Sequence, residues 1–185
     1  MPLESAKPFG MLSMLVTVAV VIGMLAIWPH EKGKSISRHS AAGRVPYLLM
    51  ALVQTFAYPA YLWFAFQWFV PTFDINPLYL VLTVLSAIGL LVAAWVPDVP
   101  GIRRRIHEVC AYGAAGLYIP ATLILVLTPT IVPMARVFGA LTAAYMIINV
   151  YAGLKIPKAH EYHLPLQSIY IVSYFAVILL ATYVR

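Results

Sequence analysis

The chain has 185 residues, of which 63% are hydrophobic and only 10% charged. A water-soluble domain averages roughly 45–50% apolar and about 25% charged residues, so an ordinary soluble domain is excluded, as is a disordered or collagen-like chain. A lone cysteine, Cys110, excludes a disulfide scaffold and a CxxC metal motif. An integral membrane protein remains.

A bilayer core of about 30 Å is crossed by a helix of about 20 apolar residues. Six runs meet this requirement, at residues 9–28, 45–70, 77–96, 106–127, 130–154 and 165–184. Lipid cannot satisfy free backbone groups, so helices are expected, and the period-2 alternation of an outer-membrane barrel is absent. The fold class is therefore an all-α, single-domain integral membrane bundle of six transmembrane helices. The first run is read as a true span. It is longer than a signal-peptide core, its leading segment carries only Lys7, offset by Glu4, and no convincing cleavage site precedes Trp28.

Between the first two runs lie Lys32, Lys34, Arg38 and Arg44, together with His30 and His39. In the second run, Gln54, Tyr58 and Tyr61 fall on one helical stripe and Pro59 interrupts the backbone ladder. Trp63 and Trp68 are expected at its membrane interface, and its aromatic stretch at residues 58–73 suits contact with a membrane partner. Asp74 follows in the second loop. The third run carries the small pair Gly89/Ala93 and ends at Trp95.

Arg103, Arg104 and Arg105 precede the fourth run, which opens on His107-Glu108 and contains Ala111/Ala115, Gly113, Gly116 and Pro120. The fifth run holds Arg136, a charge within a span, with Asp74 as its expected ion-pair partner. It also has the small pairs Gly139/Ala143 and Ala140/Ala144 and a polar stripe of Thr142, Tyr145 and Asn149. Small residues let neighbouring helices approach closely, so spans three to five are expected to form the tight centre. Lys155, Lys158, His160 and His163 lie in the last loop, and the sixth run carries a stripe of Gln167, Tyr170 and Tyr174.

Nine of the twelve basic residues lie in the first, third and fifth loops, whereas the second and fourth carry none. The positive-inside rule places those three loops in the cytoplasm and both termini on the non-cytoplasmic side. The same rule accounts for the net charge of +6 without a nucleic-acid partner.

Three chemistries follow. If the Gln54, Thr142 and Gln167 stripes converge, they line a polar cleft for a lipid or another small hydrophobic molecule, which the protein binds or moves. Imidazole and carboxylate are ligands for Zn or Fe, so His30, His107, Glu108, His160 and His163 form a candidate metal site of a membrane enzyme at the cytoplasmic face. The zinc motif HExxH is absent. Arg103, Arg104 and Arg105 at a helix start suit an anionic headgroup. A third expectation is a subunit that packs against a membrane-protein partner or a second copy of itself. No mid-span lysine, paired mid-span histidines, phosphate loop or GxSxG elbow is present.

The stretch WVPDVPGIRRRIHEVCAYGAAGLYIPATLILVL, residues 95–127, resembles the central part of the six-span DUF998 family of prokaryotic membrane proteins, and more distantly the Frag1/DRAM/Sfk1 group. The similarity rests on a proline-containing end to the third span, a short loop, and a histidine leading into a fourth span rich in small residues. It implies a six-helix bundle of the prokaryotic inner membrane whose biochemical role is undefined, with lipids as the expected object of its action, and it transfers no catalytic residue beyond an equivalence at His107.

Overall fold

A computed structural model describes residues 2–28, 35–156 and 162–184. Every regular element among them is helical. A 3₁₀ turn at Glu4–Ala6 leads into α1 (Lys7–Ile27), followed by the short α2 (Ile36–Ser40) and α3 (Arg44–Phe64). A π-helical stretch, Ala65–Phe69, joins α3 directly to α4 (Val70–Phe73), and α5 (Leu78–Trp95), α6 (Ile102–Leu127), α7 (Pro133–Lys155) and α8 (His163–Tyr183) complete the order. Six of these segments are long and apolar enough to cross a membrane, α3 and α4 counting as one continuous segment, Arg44–Phe73. The chain is a multi-pass membrane protein.

The spans differ from expectation at their ends. The fourth begins at Ile102 rather than near 106, because Gly101, at φ +103°, makes the turn that starts it. The exposed Arg103 and Arg105 ride on the first turn. The fifth begins at Pro133, a proline suited to the first helical turn. Helix α2 has no counterpart in the sequence reading. It is capped by Ser35, whose hydroxyl accepts from Arg38 N.

The spans form a ring. Helix α1 packs on α3, α3 on α5, α5 on α6, α6 on α7 and α7 on α8, and a sparser α8–α1 contact closes it. Spans three to five stand side by side rather than as a tight centre. Only some of the small residues mediate this packing. A Cβ at Gly89 would lie 3.0 Å from Cys110 O and 3.2 Å from the Ala114 methyl, and one at Gly139 would lie 3.0 Å from Val126. A Cβ at Gly113 or Gly116 would meet nothing within 4 Å beyond its own stretch of helix, and Ala140 and Ala144 face outward. Outward side chains are large and apolar: Phe56, Val109 and Leu127 are 73%, 73% and 76% exposed. Such a belt is stable in lipid and a liability in water.

The half of the bundle nearest the termini is closed by aromatic packing. Phe64 stacks on Trp68 at 5.7 Å and lies 5.3 Å from Phe69, which in turn meets Phe73 and Tyr79. Trp68, expected at the lipid interface, is instead 4% exposed. The π stretch admits an extra residue into one turn, so the consecutive Trp68 and Phe69 are both buried. Trp68 Nε1 donates to Glu4 (3.0 Å), and Lys7 Nζ lies 4.7 Å from the Trp68 ring and 4.9 Å from that of Tyr183. Pro71 has no N–H for the Gln67 carbonyl one turn back, and Leu3 N donates to it at 2.8 Å.

Candidate functional site

Below the aromatic layer the ring opens into a cavity of about 260 Å³, lined by residues from all six spans and from α2. Beneath it lies a floor of three tyrosine hydroxyls, of which only Tyr174 itself lines the cavity. Tyr61 and Tyr79 are 2.7 Å apart, Tyr79 and Tyr174 3.0 Å, and Tyr61 and Tyr174 3.1 Å. The Tyr118 ring lies 4.5 Å from that of Tyr174. A void of about 20 Å³ adjoins the floor, bordered by Tyr58, Tyr61, Tyr118 and Tyr174. It holds one water at most.

The walls are mostly apolar. Leu90, Ala93 and Ala94 come from α5, Ala111 and Ala115 from α6, Val150 from α7, and Ile171 and Phe175 from α8. On α6, the spacing 107, 111, 115, 118 puts His107, Ala111, Ala115 and Tyr118 on one face, and all four line the cavity. Ala111 and Ala115, expected to seat a neighbouring helix, thus make room instead.

The three polar stripes meet only in part. Gln54, Tyr58, Asn149, Gln167, Tyr170 and Tyr174 line the cavity, whereas Tyr61 borders only the small adjoining void. Thr142 is buried elsewhere, and Tyr145 is a fastener: its hydroxyl donates to Leu166 O (2.9 Å), as does Asn149 Nδ2 (2.9 Å), tying α7 to the first turn of α8. The Tyr170 hydroxyl donates to Ala115 O. The Gln167 carbonyl oxygen accepts from Ile36 N at 3.1 Å, holding α2 to α8. Gln54 stands apart. Its Nε2 reaches only the Met50 sulfur at 3.5 Å, while its Oε1 is buried and takes no hydrogen bond.

The mouth lies at the end that carries the basic loops. Asp98, in the α5–α6 connection, is its hub. Arg38 Nε from α2 donates to Asp98 Oδ2 (3.2 Å), and Arg104 Nε stands 3.6 Å from Asp98 Oδ1 and 2.9 Å from Glu108 Oε1. Asp98 was not singled out from the sequence. The signal was there, since it is an acidic residue set between Pro97 and Pro100 a few positions before three arginines.

The expected metal ligands do not assemble among the described residues, where no group of three or more His, Cys, Asp or Glu side chains is placed to hold an ion. His30 and His160 lie outside the described residues. His107 is buried with its Nδ1 2.9 Å from Ala93 O and 2.8 Å from Val96 O. These are carbonyls from the end of α5, which lack helical partners, so His107 caps α5 from α6. Glu108 is engaged by Arg104, and His163 borders the cavity beside Gly153. The arginine triplet is divided in the same way: Arg104 is bound into the ion-pair chain, and Arg103 and Arg105 are exposed.

Arg136 and Asp74 do not form the expected pair. Arg136 Nε donates to Val126 O at 2.8 Å, satisfying a carbonyl in the last turn of α6. The exposed Asp74 takes the left-handed position that ends α4, at φ 48°. Loop 2 is instead fastened by Thr130, whose hydroxyl donates to Phe73 O.

Comparisons with models of protein families, with curated proteins and with solved structures find no match.

Proposed function

We propose that this membrane protein binds a small apolar or amphipathic molecule in its central cavity. The observation that carries this reading is a mostly apolar chamber of about 260 Å³ bordered by every span. An apolar occupant gains about 25 cal/mol for each Å² of apolar surface it removes from water there.

On the positive-inside rule we read the mouth as cytoplasmic, and the resemblance of residues 95–127 to the DUF998 family supports a prokaryotic plasma membrane and a role on lipids. Binding is favoured over passage, because the tyrosine floor and the aromatic layer close the other half. Transport requires that floor to part.

The test is extraction and mass spectrometry of small molecules from the protein purified in mild detergent, beside Ala111→Trp, which fills the cavity. About one molecule per chain, lost in the variant, is the expected result. Equal recovery from both proteins overturns the assignment.

A further inference from the structure

Resting on that reading, we infer that the occupant is a straight-chain amphiphile, its apolar tail running down the cavity to the tyrosine floor and its polar end held at the mouth. The lining residues recur turn by turn along the spans. On α6 they include Glu108, Ala111, Ala115 and Tyr118, and on α8 they run from His163 through Gln167 and Ile171 to Phe175. At about 1.5 Å of rise per residue, Glu108 to Tyr118 covers about 15 Å. A volume of about 260 Å³ spread over that depth averages about 17 Å² in section, so the cavity is at least about twice as deep as it is wide. Its lower end is shut. Tyr58 and Tyr118 stand there, and beneath them the hydroxyl trio and the packed Phe64, Trp68 and Phe69 close the bundle.

Polarity follows depth. Among the described residues, the carboxylates and guanidinium that line the cavity are Asp98, Glu108 and Arg38, all at the mouth. Arg38 and Glu108 are engaged there through Nε and Oε1, and their side chains remain 34% and 43% exposed, open to a polar end. Further in, polar groups of the wall are spent on the protein itself. The Tyr170 hydroxyl donates to Ala115 O, Asn149 Nδ2 donates to Leu166 O, and Gln167 Oε1 accepts from Ile36 N. Around them stand Leu90, Ala111, Val150, Ile171 and Phe175. A tail at this depth meets carbon and groups already paired, and it gains by leaving water. A polar end carried to the same depth forfeits its hydrogen bonds to water. The long, one-ended shape then favours a chain over a compact body, because a chain covers the wall from mouth to floor.

Alkyl dimethylamine oxides from hexyl to hexadecyl, with a small net-neutral head, test this on the full chain in a steroid-based detergent, which brings no straight chain of its own. An extended chain advances about 1.2 Å per bond, so about twelve carbons reach from mouth to floor. With concentrations taken as free monomer, affinity is expected to rise about fourfold per methylene as far as about dodecyl and then to stop. Ala115→Phe raises the floor by the three residues that separate it from Tyr118, about 4.5 Å. The stop should then move to about octyl, while hexyl binds within about twofold of the unaltered protein, which reports an intact fold and mouth. Tighter binding of dimethyl(1-adamantyl)amine oxide than of the decyl member, which has the same carbon count in its apolar part, overturns the straight-chain assignment and leaves the cavity reading standing. A rise that continues to hexadecyl, or a stop that Ala115→Phe does not move, overturns the assignment by putting the tail outside the cavity. Failure of every probe to bind overturns both.

Discussion

Two glycines of α1 make a matched pair of perturbations. A Cβ built on Gly10 lies 2.5–2.7 Å from Cγ, Cδ1 and Cδ2 of Phe64, whereas carbon atoms in contact prefer about 3.5–4.0 Å. The ring or the helix must yield by about 1 Å. Phe64 has little freedom to do so: it is 1% exposed and wedged against Trp68 and Phe69. Over-packing of this kind costs about 1–3 kcal/mol, while alanine returns up to about 1 kcal/mol in helix propensity. Gly10→Ala should therefore lose about 1–2 kcal/mol net. At Gly23 no atom lies within 4 Å, so Gly23→Ala should be neutral or stabilising by up to about 1 kcal/mol. The assay is unfolding by dodecyl sulfate in mixed micelles, followed by fluorescence from Trp68 inside the stack in a background with Trp28, Trp63 and Trp95 replaced by phenylalanine. Combining Gly10→Ala with Phe64→Leu should recover part of the loss, which marks the ring as the obstacle. If the two alanine variants unfold within about 0.3 kcal/mol of each other, well below the packing cost of about 1–3 kcal/mol that should separate them, the close α1–α3 approach at Phe64 is refuted.

Tyr79→Phe removes two of the three hydroxyl contacts in the floor yet leaves the Tyr61–Tyr174 contact. Interhelical hydrogen bonds in membranes average about 0.6 kcal/mol, so the same unfolding assay should show a loss of about 1 kcal/mol. A cost above about 3 kcal/mol, the scale of a lost aromatic ring, would mean the ring position and not the hydroxyl is at stake. His107→Ala uncaps two carbonyls at the end of α5. It should destabilise by about 1–3 kcal/mol and speed hydrogen exchange at the end of α5, and unchanged exchange there contradicts the capping role. With Cys110 replaced by serine, single cysteines at Asp74 and at Arg103 should be labelled by an impermeant maleimide from opposite sides of the membrane, Asp74 from outside the cell. The reverse pattern inverts the orientation read from the basic loops.

Span number and helical character were legible because apolar length is a property of the chain alone, and the six expected runs are the six membrane-crossing helices. The face a side chain takes was less so. Gln54 and Tyr58 were found by helical spacing, and they do line the cavity. The same spacing gave Tyr145, which is occupied in joining α7 to α8, because periodicity tells which residues share a stripe and not what the stripe meets. Trp68 followed the rule for interfacial tryptophans until the π stretch rotated it inward. Ala111 and Ala115 show that a small residue can mark either contact or space. Asp98 eluded a search for chemistry within spans because its role depends on Arg38, 60 positions away.

The termini carry a consequence for the order in which the protein is made. Leu3, Glu4 and Lys7 near residue 1 are fastened to Gln67 and Trp68 midway, but the Lys7 ammonium also rests on Tyr183, two residues before Arg185. The last helix also supplies Gln167, Tyr170, Ile171 and Tyr174 to the cavity. A nascent chain can insert its first five spans and pair α1 with α3, but it has neither a complete tyrosine floor nor a closed wall until α8 leaves the ribosome. Formation of the cavity thus waits on α8, and a chain truncated before that helix lacks an enclosed one.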